Sequence, residues 1–173
     1  MKAVTVKELK AELENLPPKE LRELCLRLSK FKKENKELLT YLLFESSDEE
    51  AYIEEVKKAI DAEITGVNRK SNYQIRKGLR KVLLNVKKYS RYSGKKKTEI
   101  DLLIYYCTKL KSFRPSIRRS AGLLKIYLGL IETIRKKLAF LHEDLQYDYD
   151  LELNALTEGD KNLNTNPDQI KKW

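Results

Sequence analysis

The chain has 173 residues, 41% of them hydrophobic and 36% charged, with a net charge of +10. That length suits one domain, and abundant, periodic apolar residues exclude a wholly disordered chain. Two cysteines are too few for a disulfide framework, and the scarcity of Gly (6) and Pro (4) points to a helix-rich fold.

Read in chain order, Thr5-Val6-Lys7-Glu8 has the form of a capping box. It opens a short helix with Val6, Leu9, Leu13 and Leu16 on one face, and Pro17-Pro18 ends it and pre-sets the next. The second helix aligns Leu21, Leu24, Leu28 and Phe31, with Cys25 beside them. Asn35 is the expected cap of a third helix containing Leu38, Leu39, Leu42 and Leu43. The pattern from Leu9 to Phe44, with Leu16-Pro17-Pro18-Lys19-Glu20-Leu21 at its centre, resembles an uncharacterised bacterial family of helical proteins of unknown function. The resemblance covers about a quarter of the chain and implies no activity and no site residues.

Ser47-Asp48-Glu49-Glu50 is a second capping box, opening a helix with Tyr52, Ile53, Val56, Ile60 and Ile64 inward and Gly66 at its end. A fifth helix is predicted from Asn72 to Ser90. At about 100° per residue its apolar arc holds Ile75, Leu79, Val82, Leu83, Val86 and Tyr89. A loop from Ser90 to Lys97 follows, and Thr98 with Asp101 begins a sixth helix carrying Leu103, Tyr106, Cys107 and Leu110. Pro115 breaks the chain. A long helix from Ser116 to about Leu145, apolar over more than half its circumference, is expected to be central. The acidic stretch Glu143 to Asn154 forms a final short helix, and a flexible tail occupies 157–173.

No strand-like alternation appears, so the predicted fold is all-α: an irregular bundle of six to seven helices. It forms a single helical domain over 1–156, with 1–66 as an N-terminal layer and 67–156 as a basic core. Both cysteines fall on apolar stripes and read as reduced core thiols. No apolar run is long enough for a signal segment or a bilayer span, so the expectation is a cytoplasmic protein with no membrane insertion.

The charge is unevenly placed. Residues 69–125 carry 18 Lys and Arg against only Glu99 and Asp101, whereas both flanking segments have an acidic excess. Such a segment projects a field of one sign and suits an anionic partner. The candidate anion-binding residues are Arg76, Lys77, Arg80, Lys81, Lys87, Lys88 and Arg91 on the fifth helix. Lys95, Lys96 and Lys97 in the following loop, and Arg114, Arg118 and Arg119 beyond the sixth helix, complete the set. These cations would neutralise phosphates of RNA or DNA, and Ser90, Ser93, Ser116 and Ser120 would add hydroxyl donors. Tyr73, Tyr92, Tyr105 and Tyr106 lie nearby as stacking platforms for unpaired bases. No motif for base-specific readout is present.

The alternative reading is a helical protein–protein interaction module or homo-oligomer that meets an acidic protein partner. The acidic stretch 143–152 is either a solvated face or, folded back onto the basic surface, an intramolecular competitor for the anionic ligand. No cofactor or metal is expected, since His142 is the single histidine and has no ligand set in register. Arg135 and His142, seven residues apart on the predicted long helix, are similar to the Arg-x(4–6)-His pair of HEPN-type helical ribonucleases. That resemblance implies action on a scissile phosphate, although Lys136 stands where a polar residue is usual.

Overall fold

The computed structural model describes residues 2–157, which form α-helices joined by short turns, with no strand among them. The predicted tail lies outside the described residues apart from Thr157, which closes the last helix. The chain divides into two compact units, Met1–Ser47 and Asp48–Trp173.

The first unit holds α1 (Val6–Glu14), α2 (Pro18–Phe31), α3 (Lys33–Thr40) and a π-helical turn, Tyr41–Glu45. The capping box at Thr5 forms as predicted. Its hydroxyl accepts from the Glu8 N–H, and the Thr5 N–H donates to the Glu8 carboxylate at 2.7 Å. Asn35 does not cap α3. The helix starts at Lys33 with Lys32 in the cap position, three residues earlier, and the Asn35 amide instead donates to the Leu28 carbonyl across the α2–α3 corner. The apolar stripes form but stay largely uncovered: Tyr41 is the only buried residue described in this unit. Cys25 is exposed too, against the expectation of a core thiol, because too few helices surround α2 to cover its stripe.

The second unit holds α4 (Glu49–Thr65), α5 (Asn72–Ser93), α6 (Lys96–Ser112), a 3₁₀ turn (Ile117–Arg119), α7 (Ala121–Leu138) and α8 (Glu143–Thr157). The helix α4, expected in an N-terminal layer, packs on α5 and α6. Its cap is Asp48, whose carboxylate accepts from the Ala51 N–H, one residue later than the predicted Ser47. The five residues expected inward on α4 are all buried.

Helix α6 is the hub, in contact with α4, α5, α7 and α8. Its burial extends beyond the predicted stripe to Ile100, Leu102 and Ile104. It also begins at Lys96 rather than Thr98. The Thr98 hydroxyl is drawn inward to the Glu49 carboxylate of α4 at 2.6 Å, so it is unavailable as a cap. The α5–α6 turn is made by Gly94, which ends α5 in the left-handed region at φ +67°.

The long helix expected from Ser116 to Leu145 does not form. It is divided into the 3₁₀ turn, α7 and α8, with breaks at Ser120 and at Ala139–His142. The division lets α8 fold back, burying Tyr149, Leu153 and Leu156 against α6 and α7. Tyrosines tie the elements together through main-chain carbonyls. Tyr52 donates to Tyr89, Tyr106 to Leu79 and Tyr127 to Leu156, at 2.9, 2.7 and 3.0 Å. Each satisfies a hydroxyl that would otherwise be costly to desolvate.

At the α4–α6 seam, Lys109 Nζ lies 2.8 Å from both carboxylate oxygens of Asp61, and the Tyr105 hydroxyl donates to the same carboxylate at 2.7 Å. Lys57 and Lys109 both sit over the Tyr105 ring. Burial works to raise the Asp61 pKa, but the hydrogen bonds from Lys109 and Tyr105 and the Lys109 charge outweigh it and hold it below 3.8.

Two outcomes are expected. Leu103→Ala, in the fully buried hub, costs about 2–5 kcal/mol by denaturant unfolding. The Asp61 pKa is lower folded than unfolded, so its contribution is present above the ordinary carboxylate range and is lost as pH falls through the folded value. Asp61→Asn therefore lowers stability at neutral pH and narrows its difference from wild type in acid, as thermal melts across a pH series would show.

Candidate nucleic-acid interface

Helix α5 contains no Asp or Glu, and the burial of Ile75, Leu79, Val82, Val86 and Ser90 fixes which face turns outward. Helical spacing then sets the cations in two rows. Arg76, Arg80, Lys87 and Arg91 run along one side, and Lys77, Lys81 and Lys88 along the other. Leu84, 67% exposed, sits between the rows. Leu83 and Tyr89, expected in the apolar arc, are both half-buried at its margin.

Among the described residues, Arg76, Lys77, Arg80, Lys81, Lys87 and Arg91 enter no ion pair. Lys88 leans over the Tyr89 and Tyr92 rings of its own helix. Lys77 and Lys81 line an open groove of about 540 Å³ beside the α4 carboxyl end. The one carboxylate there, Glu63, accepts from the Asn85 amide at 2.8 Å. The α4–α5 connection meets α5 closely at Gly78, where a Cβ would come within 2.9 Å of Val67 Cγ1.

The other predicted cations are divided. Lys95 pairs with Glu49 at 2.8 Å, and Lys96 lies over the Phe140 ring. Lys97 lines a cleft with Glu50, Glu54, Asp101 and Asp148. The predicted lysine loop is thus the cap and first turn of α6, and its three side chains reach three different neighbours, one of them within an acidic cleft. At the opposite end of α5, Arg114, Arg118 and Arg119 are exposed on the connection into α7. Lys111, Arg114, Ser116 and Arg118 line a pocket of about 340 Å³ with no carboxylate in its wall. The Arg76 guanidinium lies over Gly122, where a Cβ would meet its Nη1 at 3.1 Å. Since Gly122 is three residues beyond Arg119, this contact joins the arginine corner to the α5 face. Arg69, stacked on the Phe113 ring with 4.9 Å to the centroid, extends the same corner. Neither Arg69 nor Lys111 was among the predicted site residues, and nothing in their spacing distinguished them from other cations of the basic segment.

The expected hydroxyl donors and stacking rings are mostly committed elsewhere. The buried Ser90 donates to the Val86 carbonyl, and the Ser93 hydroxyl donates to Glu49. The Ser116 hydroxyl accepts from the Arg118 N–H at 3.4 Å. Tyr106 is buried and Tyr105 is engaged with Asp61, while Tyr92 is half-buried; Tyr73 alone of the four is well exposed. The acidic helix does not lie along the α5 face. It packs on α6 and α7, held by Tyr149 to Asp101 and by Lys111 Nζ to the Ala155 carbonyl. Burial and the Asp101 carboxylate raise the Glu152 pKa, with Asp148 adding to the rise and Lys57 opposing it.

The Arg135–His142 register does not exist, because α7 ends at Leu138 and His142 lies in the α7–α8 connection. His142 is exposed and 3.3 Å from Asp144. The Cys107 thiol is buried, and that burial pushes its pKa up to about 12, which favours the protonated thiol. Among the described residues no group of three or more His, Cys, Asp or Glu is arranged to hold a metal ion, and no helix is long and apolar enough to cross a membrane. Comparisons of the chain with protein-family models, curated proteins and solved structures give no match.

Proposed function

We propose that the second unit is a helical module that binds the phosphate backbone of RNA or DNA without reading base identity. The binding surface is the outer face of α5, continued through Arg76 into the corner formed by Arg69, Arg114, Arg118 and Arg119. The observation behind this reading is the outer face of α5 itself: two rows of cations with no acidic residue in the helix and, for six of them, no ion pair among the described residues. A face of this kind repels itself and is stabilised by any polyanion that replaces its counterions. Spacing favours a backbone over a compact ligand. About four turns separate the first and last cations of the longer row, a distance of roughly 22 Å at 1.5 Å rise per residue, which spans several phosphates. With Tyr73 as the well-exposed ring of the four, stacking on unpaired bases contributes little, and affinity comes from charge.

Fluorescence anisotropy with short RNA and DNA probes over a salt series tests this. Affinity should fall linearly on a log–log plot, with a slope near −0.9 for each duplex phosphate neutralised. Replacing Arg80, Lys81, Lys87 and Arg91 with Glu should abolish binding with helicity retained. Replacing Lys95 and Lys97 with Glu should change it little, because those side chains already lie among carboxylates. Absence of binding at low salt rejects the proposal, and the basic face then belongs to an acidic protein partner.

A further inference from the structure

The first unit carries an unsolved burial problem. Twelve of its large apolar residues are exposed, among them Leu24 at 38%, Leu28 at 59% and Phe31 at 77%. A unit of this size with so little buried has few apolar contacts to hold it, and an isolated monomer seldom presents apolar surface on this scale. Both signs of charge border its stripes: Met1–Ser47 contains ten Lys and Arg and eight Asp and Glu. That mixture gives no single-signed field to select a charged foreign surface or an anionic membrane.

The arrangement on α2 is more specific. Leu16, Glu20, Glu23, Leu24 and Arg27 line an open groove of about 380 Å³. Glu20 and Arg27 are seven residues apart, two turns, and so flank the same side of the Leu21–Leu24–Leu28 stripe, with Leu24 between them. Among the described residues neither Glu20 nor Arg27 has an ion-pair partner. In an antiparallel pair of helices the same flank of each faces the other. A two-fold axis beside Leu24 therefore sets Glu20 of each copy against Arg27 of its mate, twice over, with the leucine stripes between.

We propose that the α2 face is a homodimer interface whose occupant is a second copy of this chain, paired antiparallel about Leu24. The surface is self-complementary in charge, as an isologous contact requires. A specific interface covers about 800 Å² on each partner, and the exposed Leu24, Leu28 and Phe31 of α2 would form its apolar centre. This inference stands apart from the proposed nucleic-acid binding.

Sedimentation equilibrium of the full chain, without nucleic acid, is expected to give twice 20.3 kDa, dissociating on dilution. Glu20→Arg and Arg27→Glu each place like charges across the axis twice and should weaken dimerisation about tenfold or more. The double variant exchanges the two signs and should restore wild-type affinity. Both side chains, Glu20 and Arg27, are exposed, and circular dichroism checks that helicity is unchanged. In a Cys25→Ser background, Leu24→Cys should form an intermolecular disulfide on mild oxidation, since the buried Cys107 does not compete. A mass of 20.3 kDa that does not rise with concentration overturns the proposal, as does a dimer indifferent to both single charge reversals or one that the double exchange fails to restore.

Discussion

Burial of α6 on every side is the constraint on which the second unit depends. A helix that is apolar around most of its circumference must be surrounded, and α4, α5, α7 and α8 do so. The demand reaches into the local chemistry. It recruits Thr98 from a capping position to the Glu49 carboxylate, breaks the expected long helix so that α8 can close the remaining side, and directs tyrosine hydroxyls to carbonyls on neighbouring helices. Each polar group taken inward finds an acceptor, which keeps a densely packed helical core from carrying unsatisfied donors.

The same constraint organises the charge. Once α6 has claimed one face of α5, the cations of α5 have only the outer face left. The carboxylates of α4 and α6 are used at the seams: Asp61 with Lys109, Glu49 with Lys95, Glu99 with Lys137. Little acid remains near the outer face of α5. Clustered like charge is unfavourable in the free protein, and its accumulation on one helix is the feature that a bound polyanion would relieve. The acidic helix does not supply that relief, being fastened to α6 and α7 by apolar contacts and by Tyr149.

The two units contrast in how their apolar residues are used. In the second, most of the predicted inward positions are buried, whereas in the first equally regular stripes remain exposed. Periodicity has the same meaning in both: it states which side chains share a face, and it is silent on what covers that face. In α4 the cover comes from α5 and α6, while in α1–α3 too few helices are present to cover one another.

The all-helical class, the caps at Thr5 and near Asp48, the inward face of α4 and the cation rows of α5 were legible in the sequence, because each follows from helical spacing within a few turns. The division of residues 116–157, the central role of α6, the partners of Lys95, Lys96 and Lys97, and the exposure of Cys25 were not. Each of those depends on groups distant in the chain. Read linearly, Lys97 has one carboxylate within helical reach, Asp101 four residues on, and only folding adds Asp148 and the carboxylates of α4. Arg135 and His142 share a helix face only if the helix continues, and packing of α8 ended it at Leu138. Local periodicity thus determined which residues lie together on each element. The tertiary structure alone decided which of those faces are covered, because hydrophobic burial and charge pairing are settled between elements and not within them.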